Sequence, residues 1–163
     1  MKKFLAVILV LLLAGSAMAE VGMANPWVET DADGVMQAVG VTFGVPEGAE
    51  NVVYRVLEAE NLAEMDFSWY DMEYTARIKP TDAIEDISGV YCEWSQEDFC
   101  EIGGIEGTMY RGQDGDQTVD LCLWYDVVPG LMYSVSAAGP DLDGFDITAA
   151  AEQVYVPAQG DVG

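Results

Sequence analysis

The chain has 163 residues, 6 of them basic against 29 acidic, with three cysteines, no histidine and a formal net charge of −23. The lack of any imidazole excludes Ser-His-Asp and Cys-His catalysis, histidine-ligated metals and the usual physiological-pH switch. So acidic a surface also excludes nucleic acid and anionic lipid as partners, since both are held by Lys and Arg.

In chain order, Lys2 and Lys3 precede an unbroken apolar run from Phe4 to Ala14, and Ala17-Met18-Ala19 places small residues at a cleavage point. This pattern predicts a secretory signal peptide over residues 1–19, removed so that the working protein starts at Glu20 outside the cytoplasmic membrane. The run is eleven residues long, and a spanning helix needs roughly 20. No cysteine stands near the cleavage point to carry a lipid, so no stable membrane insertion is expected after cleavage. What remains is the size of one domain, able to bury about 68–70% of its unfolded surface. Its basic residues are Arg55, Arg77, Lys79 and Arg111, since Lys2 and Lys3 leave with the leader.

A short helix is predicted after Asn25-Pro26-Trp27, with Thr30 as its N-cap and Asp33 three residues on. Val35, Met36 and Val39 give its apolar face, and Gly40 ends it in a left-handed turn. Val41 to Val45 reads as an edge strand that Pro46 ends, and Val52 to Glu58 as a strand following the Pro46-Glu47-Gly48 turn. The clearest pattern runs from Leu62 to Lys79. Ala63, Met65, Phe67 and Trp69 alternate with polar residues, and so do Met72, Tyr74, Ala76 and Ile78. Joined by Tyr70-Asp71, the two halves put Trp69 across from Met72, Phe67 from Tyr74, Met65 from Ala76, Ala63 from Ile78 and Glu64 from Arg77. A one-residue slip would turn one apolar face outward, which pins this register. Tyr-Asp is a poor type I′ pair beside Asn-Gly, which argues for a longer loop.

Further strands are predicted at Ser88 to Trp94, with Gly89 marking a bulge, at Ile105 to Arg111, at Thr118 to Tyr125 and at Leu131 to Ala138. Asp114-Gly115 is the hairpin signal between two of them, and Pro129-Gly130 turns into the last. Asp143 or Asp146 caps a second helix over Ile147 to Val154. The tail from Pro157 to Gly163 has no periodicity and is expected to be flexible. The expected fold is therefore α+β: one domain over 20–156, mainly an antiparallel β-meander of six to seven strands, with a short N-terminal and a C-terminal helix packed on one face.

The chemistry open to such a chain is narrow. Three cysteines outside the cell allow one internal bridge and a spare thiol. Cys92 and Cys122 lie in strand-like runs beside Trp94 and Trp124 and suit burial as small apolar residues, while a Cys92–Cys100 bridge would close the loop between them. No C-x-x-C spacing and no phosphate-cradling glycine motif occurs. Carboxylates alone are abundant, and a glycosidase needs just two across a cleft, where Trp69, Trp94 and Trp124 would supply a sugar platform; core packing explains those tryptophans equally. For calcium, the clusters are Asp31-Ala32-Asp33-Gly34, Asp114-Gly115-Asp116 and the richer Asp141-Leu142-Asp143-Gly144-Phe145-Asp146. None fits the twelve-residue calcium loop. Asp141, Asp143 and Asp146 are the candidate ligands, and a helix cap accounts for them without metal. No catalytic residue and no cofactor is called for.

Several segments together carry a resemblance: Asn25-Pro26-Trp27, Val45 through Asn51, Tyr74 to Pro80, Asp86-Ile87-Ser88-Gly89, Leu123-Trp124-Tyr125 and Asp143-Gly144-Phe145-Asp146. Over most of its body the chain resembles a family of small exported proteins and lipoproteins of gut Firmicutes. These are similar to the domain of unknown function that also forms the outer part of membrane-bound anti-sigma-factor-like proteins. The resemblance implies an extracellular or envelope binding module with no catalytic residue to transfer. The absence of an anchor after the leader departs from the membrane-bound members and argues against signalling across a membrane. The expected function is a secreted, acidic, non-catalytic domain that binds a protein, peptide or cell-envelope component. The alternatives are a carboxylate-dependent glycan hydrolase and a calcium-stabilised structural module.

Overall fold

The computed structural model describes residues 25–158. The leader, its cleavage point and most of the C-terminal tail lie outside the described residues. The body is one eight-stranded antiparallel sheet with two helices. Its strands are β1 (Val28–Thr30), β2 (Glu50–Leu57), β3 (Leu62–Trp69), β4 (Met72–Pro80), β5 (Glu93–Ile102), β6 (Ile105–Asp114), β7 (Gln117–Asp126) and β8 (Leu131–Gly139). The helices are α1 (Ala32–Val39) and α2 (Ile147–Val154). The order across the sheet is β1-β2-β3-β4-β8-β7-β6-β5, so two four-stranded meanders meet where β4 pairs with β8.

The alternation along β3 and β4 builds the centre. Met65, Phe67, Ala76 and Ile78 share one face with Tyr133 and Val135 of β8, and all are fully buried. Both helices pack there: Val35 and Val39 of α1, and Ile147, Ala150, Ala151 and Val154 of α2, belong to the same core. The expected α+β class, with two helices on one face of an antiparallel sheet, is what the structure has. The β3–β4 register is also the predicted one, residue for residue from Ala63–Ile78 to Trp69–Met72. The second helix matches its predicted span, with Asp146 as the cap that accepts from the Thr148 N–H.

Five expectations need correction. The strands number eight rather than six to seven. Tyr70-Asp71 is a true two-residue loop, with φ of 50° and 59°, so both residues adopt the left-handed conformation that a type I′ turn demands. Asp31, not Thr30, caps α1, accepting from the Gly34 N–H at 2.9 Å, because Thr30 is paired in β1. Val41 to Val45 is not a strand. Val41 and Phe43 are buried and Gly44 donates to the Val154 carbonyl at 2.8 Å, so the alternation reflects a loop wedged against the end of α2.

The fifth correction concerns Ser88 to Trp94, which is strand only from Glu93 on. Ser88 N–H bonds to Asp86 and Val90 N–H to Ser88 Oγ, local bonds that replace a ladder. The strand instead continues to Ile102, through residues that are mostly exposed until Cys100 and Ile102 turn into the core. Gly89, expected at a bulge, sits with φ of 69° against the Arg77 guanidinium, where a Cβ would lie 2.3 Å from Nη1.

Candidate functional site

The sheet's second face, away from the helices, carries the charged network. Arg77 reaches Glu64 through Nη2 at 2.8 Å and Nε at 2.9 Å, and donates to the Ile87 carbonyl. Arg55 holds the other Glu64 oxygen at 3.0 Å and also pairs with Asp66, which in turn accepts from Thr75. The Asp66 carboxylate first, and Glu64 with it, raise the Arg55 guanidinium above its ordinary value. The segment 81–92, linking β4 to β5, crosses this face. Ile87 packs on Leu62 and Met132, while Tyr125 Oη donates to the Thr81 carbonyl at 2.9 Å. The Arg77 guanidinium also lies 5.3 Å from the centre of the Trp27 ring.

Beyond that crossing segment, toward β5, the face opens into an apolar groove. Thr108, Leu123 and Tyr125 line it, and Ile84, Phe99 and Val127 border it. The three border residues are 79%, 67% and 74% exposed. Three large apolar side chains are thus left open around one hollow. The strand register explains the grouping: Phe99 pairs with Thr108 and Thr108 with Leu123, so one row of the sheet leads from the edge into the groove.

A second hollow lies on the helix side, lined by Gln96, Asp98, Arg111, Asp120, Phe145 and Asp146 among others. It holds the nearest thing to a carboxylate cluster with chemistry. Asp120 is buried, and both its oxygens are taken by Arg111, at 2.6 and 2.7 Å. Asp120 raises the Arg111 guanidinium above its ordinary value against the cost of burial, and Asp143 and Asp141 add to the effect. Two of the calcium candidates are engaged by protein groups. Asp141 accepts from the Asp143 N–H at 2.9 Å, and Asp146 accepts from Thr148 N and Oγ1. Among the described residues no group of three or more acids or cysteines is arranged to hold a metal ion.

The tryptophans do not converge. Trp124 is buried and stacked on Tyr133 at 5.1 Å, and Trp69 packs against the helix-side core with its indole N–H on the Glu47 carbonyl. Trp94 stands beside Tyr110 on the opposite face. A tryptophan platform for sugar is therefore not assembled among these three.

The thiols do not form the Cys92–Cys100 bridge that the sequence left open. Cys92 and Cys100 lie at the two ends of an extended stretch, roughly 3.3 Å per residue, far beyond the reach of a bridge. Cys100 instead meets Cys122 across β6, Sγ to Sγ at 3.5 Å, both buried. That contact and burial push the Cys122 thiol up. Gly107 makes the approach possible, since a Cβ there would fall 3.0 Å from Cys100 Sγ and 2.7 Å from the Leu123 carbonyl. Cys92 is half-buried rather than in the core.

Every basic side chain of the described residues is paired with a carboxylate: Arg55, Arg77, Lys79 through Glu85 at 3.0 Å, and Arg111. Among the described residues the remaining surface acids make no ion pair. Sequence reasoning missed Ile84, Phe99 and Val127 because none belongs to an apolar period that would flag it. Comparison with family models, with curated proteins and with solved structures finds no match. Among the described residues no helix is long and apolar enough to cross a membrane.

Proposed function

We propose that the protein is an exported, non-catalytic domain that binds a protein, peptide or cell-envelope component through the groove between segment 81–92 and the β5 edge. The exposed triad of Ile84, Phe99 and Val127 around a single hollow carries this reading. Export rests on the leader pattern at residues 1–19, and the resemblance to exported envelope modules points the same way. A hydrolytic reading would need two carboxylates free to transfer a proton across one cleft. Around the helix-side hollow, Asp120 and Asp146 are instead tied by Arg111 and by the first turn of α2.

Two assays on the purified protein test the proposal. Incubation with glycan, peptide and ester substrates is expected to give no turnover. Binding to cell-wall and culture fractions is expected, and is lost when Phe99→Ser removes the exposed ring. Turnover that a single Asp or Glu substitution abolishes, Asp98→Asn for instance, contradicts the reading.

A further inference from the structure

The β5 strand is ten residues long, pairs among the described residues only with β6, and is exposed at most positions. The opposite edge of the sheet differs, being closed by the three-residue β1. A long unpaired edge is a ready template for another strand. Three features of β5 decide what that strand would be.

The first is charge. Glu93, Glu97, Asp98 and Glu101 lie along the edge with no basic residue among them, and the nearest cation, Arg111, is bound by Asp120. The second is the pleat. Glu97, Phe99 and Glu101 alternate toward the groove face, while Asp98, Cys100 and Ile102 turn to the helix face, with Cys100 and Ile102 buried. The third is the groove itself, which continues inward from Phe99.

We infer that β5 is a docking edge for an extended cationic segment of another protein, which adds as a ninth strand and places an apolar side chain beside Phe99. Two basic residues, each two positions from that apolar one, then face Glu97 and Glu101. Backbone hydrogen bonds supply the attachment, and the basic-apolar-basic pattern supplies the selectivity. A second copy of this chain is the wrong occupant, because two β5 edges would bring like charges together across the new ladder. The acids thereby serve two purposes, opposing self-association and selecting the partner.

This inference rests on the proposed binding role and names its partner. The probe is a synthetic nonapeptide of alternating polar and apolar residues, with lysines two positions either side of a central leucine. It is titrated into the full exported protein. Saturable binding is expected at about 0.02 M salt, weakening at least about tenfold by 0.3 M as screening sets in. The same peptide methylated on alternate backbone nitrogens is expected not to bind, nor is its glutamate counterpart. The E97K/E101K variant, altered only at exposed positions, is expected to reverse the preference and take the glutamate peptide.

Equal binding of lysine and glutamate peptides, undiminished binding of the methylated peptide, or indifference to E97K/E101K overturns the edge assignment. Failure of the lysine peptide to bind at low salt does so too. If envelope fractions still bind in a manner that Phe99→Ser abolishes, the edge assignment fails while the binding role stands. If neither binds, both fail.

Discussion

Glu64 and Arg77 face each other across the β3–β4 ladder, and Arg55 of β2 clasps the same carboxylate from the other side. One buried acid on β3 thus pairs with an arginine on each neighbouring strand. Removing it leaves Arg55 with Asp66 alone and leaves the partly buried Arg77 with no carboxylate partner. Glu64→Ala is expected to cost about 3 kcal/mol, the low end for breaking a buried pair because the arginines still touch water. Urea denaturation would measure it, and a loss below about 0.5 kcal/mol, the level of an ordinary surface change, would contradict the role.

The turn at Tyr70-Asp71 carries backbone strain that glycine would relieve. Both residues hold positive φ, a conformation that costs an L-residue roughly 1–2 kcal/mol. Asp71→Gly is expected to raise stability by about 1 kcal/mol net of glycine's greater freedom in the unfolded chain. Tyr70 is the poorer choice, since its ring lies 4.8 Å from Trp69. An unchanged or lowered melting temperature for Asp71→Gly would contradict the turn geometry.

Tyr155 sets a pH dependence at the alkaline end. Its hydroxyl donates to Asp126 Oδ2 at 2.7 Å, and burial first, with that bond, pushes its phenol up to about 12. The unfolded chain releases the same proton near pH 10. The folded form therefore holds a proton that the unfolded form gives up. The stability this confers is complete below about pH 10 and is lost as pH rises toward about 12. Urea midpoints across that window are expected to fall for the native chain and to fall less for Tyr155→Phe; parallel curves would remove Tyr155 from the account.

The thiol arrangement gives a labelling prediction and a packing prediction. Alkylation of the native protein is expected to modify Cys92 and spare Cys100 and Cys122, which are buried against each other. Mass spectrometry after short exposure reads the pattern, and comparable labelling of all three would contradict it. Gly107→Ala is expected to destabilise by about 1–3 kcal/mol, since the new methyl meets backbone as well as sulfur.

What the sequence revealed depended on whether an element had one wet face and one dry one. Residues 62–80 alternate cleanly because β3 and β4 bury Phe67, Tyr74 and Ile78 on one side, so their register could be read outright. Strand β5 is wet on both sides for most of its length, and Glu97-Asp98-Phe99 offers no period to detect. Val41 and Phe43 show the converse, an alternation produced by a buried loop. Side-chain competition blurred the start of α1, where Thr30 and Asp31 are both capping residues and only pairing in β1 decides between them. The groove was invisible for a related reason: Ile84, Phe99 and Val127 come from a connection, an edge strand and a turn, and only the folded sheet brings them to one hollow.

Amide hydrogen exchange on the protein, with and without an added envelope fraction or the lysine peptide, tests the proposed binding face most directly. The account predicts new protection over residues 93–102 and around Ile84 and Val127, with α1 and residues 145–147 unchanged. Protection confined to residues 145–147 or to α1, with β5 still exchanging freely, would contradict it.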